Sequence, residues 1–385
     1  MPQPPISQPP TAQPPPVQPP GHRVLWLTEH YPPSKGGMSE SCDRIVRGLR
    51  AAGAEIDLVH LSRRDLPWDL RREVGGRRVT APLGADPEHA LRRLWTQLTA
   101  ARMTDYTHVA AFGGVFATLA APVLSALLDA PLITLLRGND IDVGVFSMRR
   151  RGTLTDALRA SARVCVVARS HIPLVHALAP GADVAFVANS VDTSSWELLP
   201  SERRRADQWR AANVADGLRT LGVVGQLKAK KGVDFLLDAL PPDAFHLVLA
   251  GEVDEAVTAR LGRFAHSVLP FQERYDLPSV YAACDLVALP SFYDGMPNVA
   301  LEAAALGVPL LCSDAGGLAD VADDAIGFTF AAGDAGGCRD AVRRAVAASG
   351  AELAKLGAAG AERIRRDFTP AAETAGYLRV LDGTG

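Results

Sequence analysis

The stretch Tyr281–Gly317, YAACDLVALPSFYDGMPNVALEAAALGVPLLCSDAGG, carries the most informative pattern of the sequence. Its apolar run Leu286–Leu289 predicts a buried strand, and the loop that follows contains Asp294. Pro297 suits the first position of a helix and Gly307 suits the position just beyond its end, which predicts a helix of about ten residues. A strand, a loop and a helix in this order are typical of a ligand-binding edge of a parallel α/β sheet.

The predicted helix adds a second carboxylate to this edge. Its N-terminus would aim free backbone N–H groups and the positive end of its dipole at the loop, an arrangement that suits a phosphate. Glu302 follows Pro297 by five residues, about 7.5 Å along the axis, so it would reach a neighbouring group such as a sugar hydroxyl. One alternative is that Glu302 caps a neighbouring loop. Another is that Glu302 and Asp294 form the acid and base of a glycosidase, but no further feature of the sequence supports that pair.

The N-terminal half begins with a similar unit. Arg23–Thr28 (RVLWLT) predicts a buried strand, a loop with Lys35 and the glycine pair Gly36 and Gly37 follows, and Ser39 is expected to cap the next helix. Glycines at the end of a strand indicate a ligand-binding loop, but no G-x-G-x-x-G is present, which argues against a dinucleotide site.

Alternating strand and helix patterns continue to the end of the sequence and predict an α/β protein. We expect two α/β domains, with the boundary near Ser195. The predicted divisions are a tail at 1–22, an N-terminal domain at 23–195, a C-terminal domain at 196–365, and a C-terminal segment at 366–385.

Two stretches could be mistaken for other classes of protein. Val109–Leu128 holds twenty uncharged residues, enough to span a bilayer, but Gly113-Gly114 and Pro122 interrupt it, and a buried strand and helix have the same composition. Residues 1–20 repeat a Gln-Pro-Pro pentapeptide four times, which predicts a disordered or polyproline II tail that solubilises or tethers the protein.

Composition limits the function further. The 385 residues are 48% apolar and 22% charged with a net charge of −3, which is typical of a globular protein and argues against a strongly basic nucleic-acid binder. Five scattered cysteines without C-x-x-C spacing favour a reducing cytoplasm and argue against a zinc site. Residues 23–195 have a net charge of +4 and residues 196–385 one of −7, so the N-terminal domain is the candidate for an anionic acceptor or peripheral contact with the inner membrane face.

The lysines are unevenly distributed. Only five of the 40 basic residues are lysine, and three of them are Lys228, Lys230 and Lys231, directly after the predicted strand in Thr220–Gln226. A compact, mobile ammonium group at the end of a parallel strand suits a diphosphate. The alternative is a solvated turn.

Taken in order, these motifs resemble those of retaining glycosyltransferase family 4, whose members have the GT-B fold. The resemblance covers nearly all of residues 23–385. It rests on the pattern of an acidic residue, seven intervening residues and then Glu, which Asp294 and Glu302 match. It also rests on the motifs YPPSKGGM, ANSVD (Ala188–Asp192), VGQLKAKKGVDFLLDAL (Val224–Leu240), DLPSVYAACDLVALPS and DAGGLADV (Asp314–Val321).

The resemblance implies a metal-independent, retaining transfer of a sugar from a nucleotide-diphosphate-sugar, with no resident cofactor. It also implies two Rossmann-like domains that face each other across a cleft, residues 23–195 for the acceptor and residues 196–365 for the donor, and a helix in 366–385 that crosses back to the N-terminal domain. It implies that Lys231 binds the donor diphosphate near Gly36 and Gly37, and that Glu302 binds the ribose. Asp294 would hold the transferred sugar together with the backbone of Gly295, Met296, Pro297 and Asn298. The acceptor, a saccharide, lipid-linked or small molecule, is not identified by the resemblance.

Four positions depart from the family pattern: Asp294 replaces Glu, Ser190 replaces Gly, Gln226 replaces Arg and Arg137 replaces His. Gln226 removes a cation from the predicted donor site, and we expect Lys228 and Lys230 nearby to compensate for it, Lys228 in particular.

Arg137 is predicted to be catalytic or to hold an anion, and the alternative is an ion pair with Asp140 or Asp142. Lys35 and Asp140 are predicted to bind the acceptor. Two other functions remain open on the sequence alone, a nucleotide-sugar epimerase and a non-catalytic sugar-nucleotide-binding protein.

Overall fold

The computed structural model describes residues 21–384, so the predicted Pro-rich tail lies almost wholly outside the described residues. It contains two sheets. The first has eight strands in the order β3-β4-β2-β1-β5-β6-β7-β8, all parallel to their neighbours except the antiparallel pair β3 and β4. These strands are β1 (Arg23–Thr28), β2 (Glu55–Ser62), β3 (Asp69–Glu73), β4 (Gly76–Pro82), β5 (His108–Phe112), β6 (Leu132–Leu136), β7 (Ser161–Val166) and β8 (Val184–Phe186).

Helices connect the strands of the first sheet, as parallel crossovers require. They are α1 (Gly37–Ala51), α2 (Pro87–Ala100), α3 (Val115–Leu128), α4 (Asn139–Asp142), α5 (Met148–Ala160) and α6 (His171–Leu178). Both faces of the sheet are covered, because Val24 and Trp26 of β1 lie in one apolar cluster and Leu25 and Leu27 in another.

The second sheet has six parallel strands in the order β11-β10-β9-β12-β13-β14. They are β9 (Thr220–Val224), β10 (His246–Ala250), β11 (His266–Leu269), β12 (Leu286–Leu289), β13 (Leu310–Ser313) and β14 (Gly327–Phe330). The helices of this part and beyond are α7 (Pro200–Asn213), α8 (Val233–Ala239), α9 (Glu255–Thr258), α10 (Leu277–Ala282), α11 (Asn298–Ala305), α12 (Leu318–Val321), α13 (Ala335–Ala347), α14 (Gly350–Asp367) and α15 (Pro370–Leu381).

The strand orders determine where ligands can bind. In each sheet the direction of strand addition reverses once, between β1 and β5 in the first sheet and between β9 and β12 in the second. Loops at the carboxyl ends of the strands diverge at such a point and leave a crevice. The loops after β1, β9 and β12 are the ones that the sequence patterns single out.

The last helix returns to the first sheet. Helix α15 packs against α1, and its Tyr377, Val380 and Leu381 are buried in the same apolar cluster as Trp26 and Ile45. Helix α15 therefore belongs to the core of the first domain.

Several local predictions need correction. Ser39 is not the cap of α1, because the helix already begins at Gly37 and Gly36 occupies the cap position with φ of 117°, a conformation open to glycine. Pro297 is the N-cap of α11, and this helix has eight residues. The hairpin of β3 and β4 was not predicted because its sequence is rich in arginine and lacks the apolar alternation of a strand.

Val109–Leu128, the uncharged stretch, forms β5 and α3, as the interrupted pattern predicts. Among the described residues, no helix has the length and apolar character needed to cross a membrane.

Candidate active site between the two sheets

Asp294 lies in the loop after β12, at the entrance to α11. One carboxylate oxygen, Oδ1, accepts the backbone N–H of Gly295 at 3.0 Å, and the other forms an ion pair with Lys231 Nζ. The loop can fold this tightly because Gly316 and Gly317 lie directly against it, where a side chain would overlap the carbonyl groups of Asp294 and Gly295. The glycines of the DAGG motif thus support the loop that carries Asp294.

The lysine loop after β9 is held against the same region. Ala229–Lys231 form one 3-10 turn, and Gly232 follows with φ of 65° where a side chain would overlap the carbonyl of Pro290. The backbone N–H of Phe292 donates to the Lys230 carbonyl at 2.9 Å. These backbone contacts bring Lys231 to Asp294, so the two predicted site residues meet although 63 positions separate them.

Lys230 points towards the first domain. Its Nζ donates to Asn139 Oδ1 at 2.7 Å and lies 5.5 Å from the centre of the Tyr293 ring. Burial lowers the pKa of Lys230, and the nearby Asp294 opposes that change. Gln226 and Lys228 are exposed, and neither side chain makes a hydrogen bond within residues 21–384, so the compensation of Gln226 by Lys228 stays a prediction.

Glu302 lies on α11, in the second turn of the helix. Its Oε2 accepts the hydroxyl hydrogen of Tyr281 at 2.8 Å. Burial raises the pKa of Glu302, although the Tyr281 hydrogen bond and the charges of Arg274 and Arg44 oppose that change. The sequence reasoning missed Tyr281, which is fully buried at the end of α10, although it lies within the motif DLPSVYAACDLVALPS.

Glycines of the first domain meet the loop of Asp294 across the cleft. Asn298, the first residue of α11, reaches Gly37 with its Nδ2 at 3.4 Å from the Gly37 carbonyl oxygen. A Cβ on Gly138 would lie only 2.6 Å from the backbone nitrogen of Gly295. The N-terminus of α1 and the loop after β6 therefore enclose the same space as the N-terminus of α11.

The two residues predicted to bind the acceptor, Lys35 and Asp140, differ in their contacts. Lys35 Nζ forms an exposed ion pair with Glu273 at 2.6 Å and lies 4.6 Å from the centre of the Phe271 ring, so it bridges the cleft near its surface. Asp140 accepts the backbone N–H groups of Arg137 at 2.7 Å and of Gly114 at 2.9 Å. Its carboxylate thus joins two loops of the first domain.

Arg137 does not form the ion pair with Asp140 or Asp142 that is the alternative to its predicted role. Only 8% of its surface is exposed, and its guanidinium donates to the Tyr377 hydroxyl at 2.9 Å and to Asn189 Oδ1. Both carboxylate oxygens of Asp140 instead accept backbone N–H groups, and Asp142 lies 3.2 Å from His171 Nε2. Neither Asn189 nor Tyr377 was predicted to take part in the site.

Ser190, another of the four departures from the family pattern, lies in a second buried polar group. Its hydroxyl donates to Glu373 Oε2 at 2.7 Å, and Arg44 donates to both oxygens of the same carboxylate at 2.8 and 3.0 Å. Glycine at position 190 could not make this contact. Arg44 and Glu373 carry no sequence signal that distinguishes them from surface charges.

Comparison with known proteins agrees with this geometry. Residues 219–348, which contain the lysine loop, Asp294 and Glu302, match the family model described as glycosyl transferases group 1. The 2-deoxystreptamine N-acetyl-D-glucosaminyltransferase of Streptomyces fradiae is 30% identical over 312 residues, which cover 72% of this chain and 71% of that protein. The chain belongs to the group 1 glycosyltransferases.

Solved structures show the fold of this glycosyltransferase. Sucrose-phosphate synthase from Thermosynechococcus elongatus superposes with a TM-score of 0.78 over 94% of this chain and 98% of that one, at 17% identity. Anabaena Alr3699/HepE, crystallised in complex with UDP-glucose, gives a TM-score of 0.74 over 94% and 100%, also at 17% identity. The predicted α/β architecture of two Rossmann-like domains, the GT-B fold, is confirmed.

Proposed function

We propose that this glycosyltransferase transfers a sugar from a nucleotide-diphosphate-sugar to an acceptor hydroxyl, with retention of anomeric configuration and without a metal ion. The observation that carries the proposal is the meeting of Lys231 with Asp294 at the N-terminus of α11, with Glu302 in the second turn of the same helix. Anabaena HepE, which shares the fold, has been crystallised with a donor of this class.

Negative charge grows on the diphosphate as the bond to the sugar breaks. Lys231 and the N-terminal N–H groups of α11 would stabilise that charge, and the N-terminus of α1 at Gly37 faces the same space. Since the Lys231 ammonium already touches Asp294, a diphosphate would share it with the carboxylate, leaving Asp294 beside the sugar. Fixed positive groups of this kind can replace a metal ion.

Glu302 suits the ribose hydroxyls of the donor. Tyr281 occupies one carboxylate oxygen and leaves the other, Oε1, without a hydrogen bond to the residues that the structure describes. A carboxylate held in this way can accept a hydroxyl hydrogen without rearranging.

For the acceptor, we propose a site on the first-domain side of the cleft near Lys35. Its ion pair with Glu273 is exposed, and such pairs contribute about 0–1 kcal/mol, so an anionic acceptor could displace Glu273 at little cost. Asp140 would affect acceptor binding only indirectly, by holding together the two loops that it joins.

We also propose a cytoplasmic enzyme that contacts the inner membrane face. Phe146 and Met148 of the first domain are 89% and 81% exposed, and three consecutive arginines, 149–151, follow them. Apolar side chains beside a basic run suit an anionic lipid surface. Sedimentation with vesicles that contain phosphatidylglycerol should be lost in the double variant F146S/M148S, while vesicles of phosphatidylcholine alone should not bind the parent.

Membership of the glycosyltransferase family favours transfer over epimerisation or binding without turnover. The test begins with a screen of nucleotide sugars for a rise in melting temperature, since a ligand at 100 times its Kd adds about 2.7 kcal/mol. The donor found is then incubated with and without candidate acceptors, with and without chelator, and the anomeric configuration of the product is read by NMR. Epimerised donor without an acceptor, loss of activity with chelator, or an inverted product would each contradict the corresponding part of the proposal.

A further inference from the structure

Four residues from different parts of the chain form a continuous hydrogen-bonded relay. Tyr377 of α15 accepts from the Arg137 guanidinium, which donates to Asn189 Oδ1, and Asn189 Nδ2 donates to the Met296 carbonyl at 2.7 Å. These positions belong to the returning C-terminal helix, the first domain, the segment between the two sheets, and the loop that carries Asp294. We call this set the relay.

All four members of the relay are enclosed. Exposure is 3% for Tyr377, 8% for Arg137, 5% for Asn189 and 4% for Met296. The Arg137 guanidinium lies 4.9 Å from the centre of the Phe112 ring, and within residues 21–384 its recorded hydrogen-bond partners are the two neutral groups. Burying a cation costs free energy unless its N–H groups are hydrogen-bonded. The Tyr377 hydroxyl and Asn189 Oδ1 therefore hold the Arg137 guanidinium in one position.

Arg137 and Asn189 also contact the backbone of the two residues that follow Asp294. The carbonyl of Arg137 lies where a side chain on Gly295 would overlap it, so the first domain touches the loop at Gly295 through backbone and at Met296 through Asn189. Gly295 and Met296 are the two residues directly after Asp294.

We propose that Arg137 and Asn189 are positioning residues, which set the orientation of the Asp294 loop relative to the first domain and thereby align the donor sugar with the acceptor. Arg137 acts through Asn189 and not by contact with a substrate, since its guanidinium is enclosed. The inference rests on the proposed function for its kinetic consequence, but the orientation of the loop can be measured without turnover.

The decisive variant is Asn189→Asp. Aspartate keeps the oxygen that accepts from Arg137 but cannot donate to the Met296 carbonyl, so it breaks the relay at its last step while keeping a partner for the buried cation. Asn213→Asp is the matched control, because Asn213 is exposed and its Nδ2 also donates to a backbone carbonyl, that of Trp209, at 2.8 Å.

The readout without turnover is hydrogen exchange of the ligand-free protein. Backbone amides of Asp294, Gly295, Met296 and Asn298 should exchange at least tenfold faster in Asn189→Asp than in the parent. Amides of β9 in Asn189→Asp, and all amides in the control variant, should exchange as in the parent. Equal exchange at 294–298 in Asn189→Asp and parent would overturn the inference whether or not the protein proves to be a glycosyltransferase.

The kinetic readout separates positioning from a structural role. Asn189→Asp should lower kcat tenfold or more with the donor KM within about threefold of the parent, because Lys231 and Glu302 still bind the donor. Arg137→Gln should lower kcat similarly, and the double variant should lose little more, since both changes act through one contact. A kcat within twofold of the parent in a folded Asn189→Asp protein would overturn the inference, while an inactive parent would refute the proposed function alone.

Discussion

Tyr281 holds Glu302 in place by donating its hydroxyl hydrogen to Oε2 at 2.8 Å, from a position with no exposed surface. The carboxylate is thus presented to the cleft by one neutral partner, while burial works against its charge. We therefore expect the charged Glu302 to strengthen donor binding but to lower the stability of the folded protein.

Glu302→Gln should weaken donor binding roughly 10- to 100-fold, since hydrogen bonds to a charged group contribute about 1.5–3 kcal/mol. Isothermal titration with the donor and with the free nucleoside measures this effect. Tyr281→Phe should weaken binding less, because the carboxylate remains. Unchanged donor affinity in Glu302→Gln would exclude the ribose assignment.

The same variant should alter the pH dependence of stability. The pKa of Glu302 is raised in the folded protein, so the unfolded chain loses this proton first as pH rises. The parent therefore loses stability as the pH rises from the ordinary pKa of 4.5 to the raised pKa. Glutamine cannot ionise, so Glu302→Gln should not show this loss and should be at least as stable as the parent at pH 7. Urea unfolding from pH 4 to 7 compares the two, and parallel curves would contradict the expectation.

Lys231→Ala should lower turnover about 10²- to 10³-fold, as removal of one preorganised charge does at other oxyanion sites, with little loss of stability. Lys355→Ala, which removes an exposed lysine from α14, is the matched control and should be neutral. If Lys228 compensates for Gln226, Lys228→Ala should also lower turnover. Adding Gln226→Arg to that variant should then partly restore turnover. Normal kinetics in both alanine variants would instead indicate a solvated turn.

Gly138→Ala should impair the approach of the two domains. A methyl group there would lie 2.6 Å from the backbone nitrogen of Gly295, so we expect kcat to fall tenfold or more and small-angle scattering to show a larger radius of gyration in the presence of donor. Gly138 also has φ of 116°, which adds local strain. Gly53→Ala, with φ of 95° and open space around its Cβ, controls for that strain, and an equal loss of kcat there would remove the steric explanation.

His60 should limit stability in acid. Burial, with Arg78 nearby, lowers its pKa from 6.5 to about 4, and its Nε2 has no hydrogen-bond partner within the described part of the chain. Because the unfolded chain takes up this proton first as pH falls, the parent should lose about 2–3 kcal/mol of stability between pH 6.5 and 4. His60→Gln should lose less over this range, whereas the exposed His89→Gln should follow the parent. Equal acid sensitivity in all three would show that other groups dominate.

The sequence predicted the parts of the site that depend on local order. The strand before Asp294, the helix carrying Glu302 and the lysine loop follow from apolar runs and from glycine and proline positions, so they could be located without a structure. The relay could not, because Arg137, Asn189 and Tyr377 are 52 to 240 residues apart and carry no common pattern.

The hairpin of β3 and β4 was missed for a different reason. It lies at the edge of the first sheet, where arginine side chains can extend into solvent and the usual alternation of apolar residues is not needed. Ser39 was misplaced as a cap because α1 already begins at Gly37, after Gly36 with φ of 117°, and glycine has no side chain that would mark it as a cap in the sequence.

The return of α15 to the first sheet has a consequence for how the protein is made. Trp26 and Ile45 are synthesised at least 332 residues before Tyr377 and Leu381, which pack with them. At about 5–20 residues per second, the core that α15 completes stays open for tens of seconds after its first strand and helix are made, while the second domain can already fold. Nascent chains that stop before residue 370 would leave that part of the core open to chaperones and proteases.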